Sequence, residues 1–149
     1  LNDEKKQALF GLGAAPTAEL RTRALDYAIS GAVKLQDFFY IGLVMHRYSS
    51  EGMLATWEHF TTKVATYQEM LAQANPSLMD ACITAACSTF ATPERCQEVT
   101  AFFMEHEKRF EKNGRKIKQT LEAIGTNTAY LARWQSSDAL AWLQARKPA

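Results

Sequence analysis

The stretch WEHFTTKVATYQEML, Trp57 to Leu71, decides how the rest of the chain is read. Trp57, Phe60, Val64, Tyr67 and Leu71 recur at the spacing of one apolar stripe on a helix of 3.6 residues per turn. The opposite face holds Glu58, Thr61, Thr62, Lys63, Thr66, Gln68 and Glu69, with His59 among them, and suits water. Aromatic rings along one seam need partners on at least two sides, so this helix is expected to lie between neighbours, running to about Ala72.

Working outward, every other apolar pattern also has helical spacing, and alternating β-branched runs are missing. Asp3 can cap a first helix that stops near Phe10 at Gly11-Leu12-Gly13. Thr17 is a good cap for a second, with Leu20, Ala24, Tyr27 and Ala28 facing in. A third, apolar nearly all round, runs from about Leu35 to Arg47, and Tyr48 to Gly52 reads as a polar turn. Beyond the Trp57 helix, Asn75-Pro76-Ser77 starts a helix with Leu78, Cys82, Ala86 and Phe90 inward. Thr92-Pro93 starts another, carrying Cys96, Val99, Phe103 and Phe110. Asn113-Gly114 breaks it. Ile117, Leu121, Ile124, Thr128 and Leu131 form the last long stripe. Ser137-Asp138 can cap a short final helix through Leu140 and Leu143, with Arg146 and Lys147 reaching into water.

The expected fold is therefore all-α, about eight helices with short connections and antiparallel neighbours. Helix pairs recur over roughly 35–45 residues, the length of HEAT-type units, so a stacked superhelical array is favoured over a closed bundle. Residues 1–149 read as one domain.

Composition narrows the function classes. With 47% hydrophobic and 22% charged residues the chain is an ordinary globular one. Its formal charge of +1 gives no field for nucleic acid or an acidic membrane. No apolar run is long enough to span a bilayer. Cys82, Cys87 and Cys96 are odd in number and lack C-x-x-C spacing, and Asn75-Pro76-Ser77 is spoiled as a glycosylation site by its proline. Buried thiols in a reducing cytosol are expected.

The search for chemistry turns up near-misses. His106-Glu107-Lys108-Arg109-Phe110 begins like the zinc motif H-E-x-x-H, but a phenyl ring cannot ligate the metal. Gly11-Leu12-Gly13 mimics a dinucleotide loop without its third glycine or preceding strand. The basic run Lys108, Arg109, Lys112, Arg115, Lys116 and Lys118 alternates with Glu105, Glu107 and Glu111 and reads as solvated i, i+4 pairing. Asp37 is expected to cap a helix or pair with Lys34 or Arg47, and Asn127 to bond a backbone group. No catalytic and no metal-binding residue is assigned.

Leu25-Asp26-Tyr27-Ala28-Ile29-Ser30, Lys34-Leu35-Gln36-Asp37, Gly52 with Trp57-Glu58-His59-Phe60, Val99 to Phe103, Leu121-Glu122-Ala123-Ile124, Asn127, Tyr130-Leu131 and the tail Ala141-Trp142-Leu143-Gln144 follow in a telling order. Together they resemble the C-terminal helical domain of the zinc aminopeptidases that include the puromycin-sensitive, insulin-regulated and endoplasmic-reticulum enzymes. The resemblance implies a HEAT/armadillo-like stack, here about the second half of such a domain. It also implies a metallo-aminopeptidase parent whose zinc and G-A-M-E-N loop lie elsewhere, this part being non-catalytic. That part would close over the catalytic domain and shape the peptide cavity. Arg47, at a turn between helices, is the candidate to meet a peptide carboxylate. The cytosolic, puromycin-sensitive type of parent is favoured. The expected partners are that catalytic domain and peptide substrates, with self-association through Leu9, Phe10, Leu12 and Leu20 if the stack is cut there. The rival is a standalone HEAT-like scaffold for protein partners; the apolar first helix makes a poor solvent cap and argues against it.

Overall fold

The computed structural model describes residues 2–146, the side chains of Asn2 and Leu140 excepted. Among these residues the chain forms α1 (Asn2–Gly13), α2 (Ala18–Ala28), α3 (Phe39–Tyr48), α4 (Ser50–Thr62), α5 (Val64–Leu71), α6 (Pro76–Cys87), α7 (Pro93–Glu105), 3-10 turns over Glu107–Asn113, α8 (Gly114–Gln135) and α9 (Ala139–Gln144). No strand is present among them.

Local chemistry sets most boundaries. Thr17 accepts a hydrogen bond from the Leu20 N–H, Thr92 from Arg95 and Asn75 from Ser77, each satisfying an orphan donor of a first turn. Pro76 and Pro93 stand at first helical positions, where no N–H is missed. Ser49 caps α4 through the Gly52 N–H, so the expected turn is a one-residue break and α4 starts at Ser50. Gly52 is required there, because a Cβ would press into the Met45 carbonyl of α3.

The helices form two rows. α1, α3, α6 and α8 pack side by side in one, and α2 packs on α4 in the other. α7 joins that second row by the rings of Phe102 and Phe103 against Trp57, while the two rows meet along α2–α3, α3–α4, α4–α6 and α7–α8. This is the expected stack of antiparallel pairs. At its centre Trp57 is 3% exposed, edge-on to Phe90 and Phe102, and its Nε1–H donates to Glu98 Oε1 at 2.6 Å. Phe38, Phe60, Phe90, Phe103, Phe110 and Ile124 fill the remainder. Ala85, Ala86 and Cys82 on α6 keep that helix thin, so α3 and α4 both lie close to it.

Several expectations are corrected. α1 continues through Gly11 to Gly13, and Gly13 is kept small by Ile41 and Val44 of α3. α3 begins at Phe39, with turns before it. On α2 the inward residues are Ala24, Leu25 and Ala28; Leu20 and Tyr27 are 41% and 44% exposed, because α3 and α4 approach from Leu25's side. The Trp57 helix breaks at Lys63 (φ −108°, ψ 23°) into α4 and α5. α7 ends at Glu105, before Asn113-Gly114. In the 3-10 turns that follow, three residues per turn misalign i, i+4 partners. None of the expected pairs in the basic run forms among the described residues, and Arg109 exchanges bonds with Gln68 instead. Leu131 is half exposed, and so are Trp142 and Leu143 of α9. The side chain of Leu140 in this expected short helix and the outward place expected for Lys147 lie outside the described residues.

Candidate functional site

Arg47 sits in the last turn of α3, where a cation suits the helix dipole, and is exposed. Among the described residues it takes part in no ion pair and no side-chain hydrogen bond, so its guanidinium is free to meet a ligand. Asp37 pairs with neither Arg47 nor Lys34. Its backbone N–H closes a turn on the Lys34 carbonyl. Asn127 does what was expected, its Nδ2 donating to the carbonyls of Ser88 and Phe90 at 3.2 Å each.

Next to Arg47 is His46, buried on α3. Its Nε2 accepts from the Thr89 N–H at 3.2 Å and lies 2.6 Å from Thr89 Oγ1; Nδ1 has no partner. Burial, assisted by the positive charge of Arg47, pushes the imidazole down to about 4. The ring is neutral at pH 7 and works as a tie between α3 and the α6–α7 turn.

A second polar group crosses from α2 to the α4–α5 break. The Lys63 ammonium donates to Asp26 Oδ1 at 2.7 Å, His59 Nε2 lies 3.1 Å from the same oxygen, and His59 Nδ1 lies 3.0 Å from Tyr67 Oη. Hydrogen bonds from Lys63 and His59 hold the Asp26 carboxyl below its usual range. Burial pushes His59 down and the Tyr67 hydroxyl well up. The consistent proton assignment is Tyr67 O–H donating to Nδ1 and Nε2–H donating to Asp26. In a straight helix His59 and Tyr67 would be separated by about 12 Å of rise, so the break at Lys63 makes the contact. The geometry resembles a proton relay, yet the tyrosine end is sealed. Beside Tyr67 is an apolar void of about 20 Å³, room for one water and no substrate. The group locks α2 to the break.

Sequence reasoning missed this cluster. His59 was placed on the polar face and is 7% exposed. A signal existed in His59 and Lys63 on consecutive turns of one face, which can share a carboxylate, but nothing in the local sequence names Asp26 as that carboxylate.

The remaining near-misses hold no chemistry. His106 packs on the Phe102 ring, and Phe110 is buried in the aromatic core. Among the described residues no group of three or more His, Cys, Asp or Glu is placed to hold a metal, so these residues do not fit the zinc of an aminopeptidase. Burial pushes the Cys82 and Cys87 thiols far up, which leaves them inert as nucleophiles; Cys96 is half-buried, and all three are free. No helix among the described residues is long and apolar enough to cross a membrane.

A yeast protein of Saccharomyces cerevisiae, "Aminopeptidase 2, mitochondrial", is 28% identical over 135 residues. That stretch covers 89% of this chain and 13% of the yeast protein, so the chain spans only a small part of its relative's length. Residues 1–126 match the family described as the ERAP1-like C-terminal domain, and with most of its length matched the chain belongs to that family of aminopeptidase C-terminal domains.

Proposed function

We propose that the chain works as a non-catalytic part of a zinc-dependent aminopeptidase, forming about the second half of its C-terminal domain. The parent removes N-terminal residues from peptides. This part packs against the catalytic domain, closes over the peptide cavity and influences which peptides enter. One observation carries the reading: the match over residues 1–126 to an aminopeptidase C-terminal domain family. Zinc belongs to the parent's catalytic domain. The exposed Leu12, Leu20 and Tyr27 on the α1–α2 face suit packing against other helices of such an enzyme. Free thiols suit a reducing compartment, and the cytosol is the reading kept.

Arg47 is the residue assigned to the peptide, through a bidentate contact to its terminal carboxylate. The test uses an aminopeptidase that carries this chain, comparing Arg47→Glu with wild type on long peptides ending in a free carboxylate or an amide. KM should rise about tenfold for the free acids alone, the scale of one lost charge-assisted contact, while turnover of an aminoacyl fluorophore stays unchanged. Equal KM values for both peptide forms in both enzymes would remove Arg47 from the cavity.

A further inference from the structure

Two features at the α8 end of the stack complement each other. The first is a groove of about 520 Å³ between α7, the 3-10 turns and α8. Phe103, Phe110, Ile117 and Leu121 floor it, and Glu107 and Glu111 stand on its rim with no basic side chain among the lining. Neither acid is in an ion pair among the described residues. The second is α9, for which no close packing on another helix is found among the described residues. All its described side chains from Ala141 onward are exposed, Trp142 and Leu143 among them. The sequence after Asp138 contains Arg146 and Lys147 and no acid. An apolar groove with an acidic rim thus faces the same solvent as an unpacked apolar helix with a basic end.

We propose that the groove receives α9 of a second copy of this chain. Trp142 and Leu143 cover its floor, and Arg146 meets Glu107 and Glu111. The chain's own α9 cannot do this. From Leu121 to Gln135 α8 rises about 21 Å, whereas α9, of 6 residues, spans only about 9 Å. Glu107 and Glu111 lie farther still, before the start of α8. Charge also favours this groove over two exposed recesses beside α1, one lined by Arg23 and no acid and the other by Lys5 and Lys34 with a single acid, Asp37. A reciprocal exchange of α9 between two copies closes into a dimer.

Sedimentation velocity of the 149-residue chain over a wide concentration range tests this. The wild type should shift from monomer to dimer. Trp142→Glu should weaken association about a hundredfold, as loss of a central aromatic anchor does. The double variant Glu107→Lys/Glu111→Lys should weaken it about tenfold, and adding Arg146→Glu to that double variant should restore it. Mixing the Trp142→Glu chain with the Glu107→Lys/Glu111→Lys chain should recover association relative to the Trp142→Glu chain alone, since one intact groove and one intact α9 remain in the mixed dimer, and this recovery also shows that both chains are folded. A monomer at every concentration would overturn the proposal. So would wild-type dimerisation in Trp142→Glu, no recovery on mixing, or association lost in Leu20→Glu on the α1–α2 face and kept in the α9 variants.

Discussion

Trp57 and Trp142 are the same residue in opposite surroundings. Trp57 is 3% exposed, ringed by Phe60, Phe90, Phe102 and Phe103 and tied to Glu98, with α4 held between α3, α6 and α2. Trp142 is 54% exposed, and its recorded neighbour is the Arg146 guanidinium, 4.1 Å over the ring. Both lie on helices with an apolar face. What separates them is the number of helix rows that reach that face. In a stacked array a middle unit is covered on both flanks and an end unit on one, so stability concentrates in the middle and free surface at the ends.

The contrast is sharpest in unfolding experiments. Trp57→Ala should cost about 3–5 kcal/mol in urea unfolding, through lost burial and a cavity that the surrounding phenyl rings cannot fill. A loss under about 1 kcal/mol would mean the seam is far looser than its packing.

Acid should strike the same middle region next. His46, neutral in the folded chain with its pKa near 4, takes up a proton in the unfolded chain as pH falls through 6.5. Its share of stability is complete above pH 6.5 and is lost as pH falls toward 4, by roughly 3 kcal/mol. His59, also pushed down by burial, acts in the same direction, and Asp26, held low by Lys63 and His59, adds a further loss at lower pH. Unfolding at pH 7 and at pH 4.5 reads the drop, and His46→Gln should make it smaller. An equal drop in both chains would contradict the assignment.

A smaller effect is expected at the α4–α5 break. Tyr67→Phe removes the hydroxyl paired with buried His59 Nδ1 and should cost about 1–3 kcal/mol. Smallest of all, Trp142→Ala should stay within about 0.5 kcal/mol in dilute chain, where the Trp142 side chain is half exposed. A large loss there would break the contrast between middle and end.

The sequence and the structure agree where a residue acts on its own neighbours. Thr17, Asn75 and Thr92 cap as their side chains dictate, and Trp57, Phe60, Val64, Tyr67 and Leu71 are buried as their spacing dictates. They part where a distant helix chooses. No proline or glycine marks the break at Lys63; its side chain reaches Asp26, far back in the chain, and the break admits Tyr67 to His59. On α2, Leu20 and Leu25 have equal claims by period, and the approach of α3 and α4 gives the inside to Leu25. At the last long helix the apolar stripe from Ile117 to Leu131 is real in sequence, but among the described residues its far end is uncovered, with Leu131 left half exposed. Of the candidate site, Arg47 was legible as an exposed cation at a helix end, whereas the His59 and His46 ties depend on partners from other helices and were not.

The central claim is that this chain belongs to an aminopeptidase domain family and contributes packing and shape without the reaction's metal. Zinc content and aminoacyl-fluorophore release, measured on the purified chain free of contaminating peptidases, test it most directly. The account predicts no stoichiometric zinc and no release above background, with or without added metal. One zinc per chain together with chelator-sensitive release would contradict it.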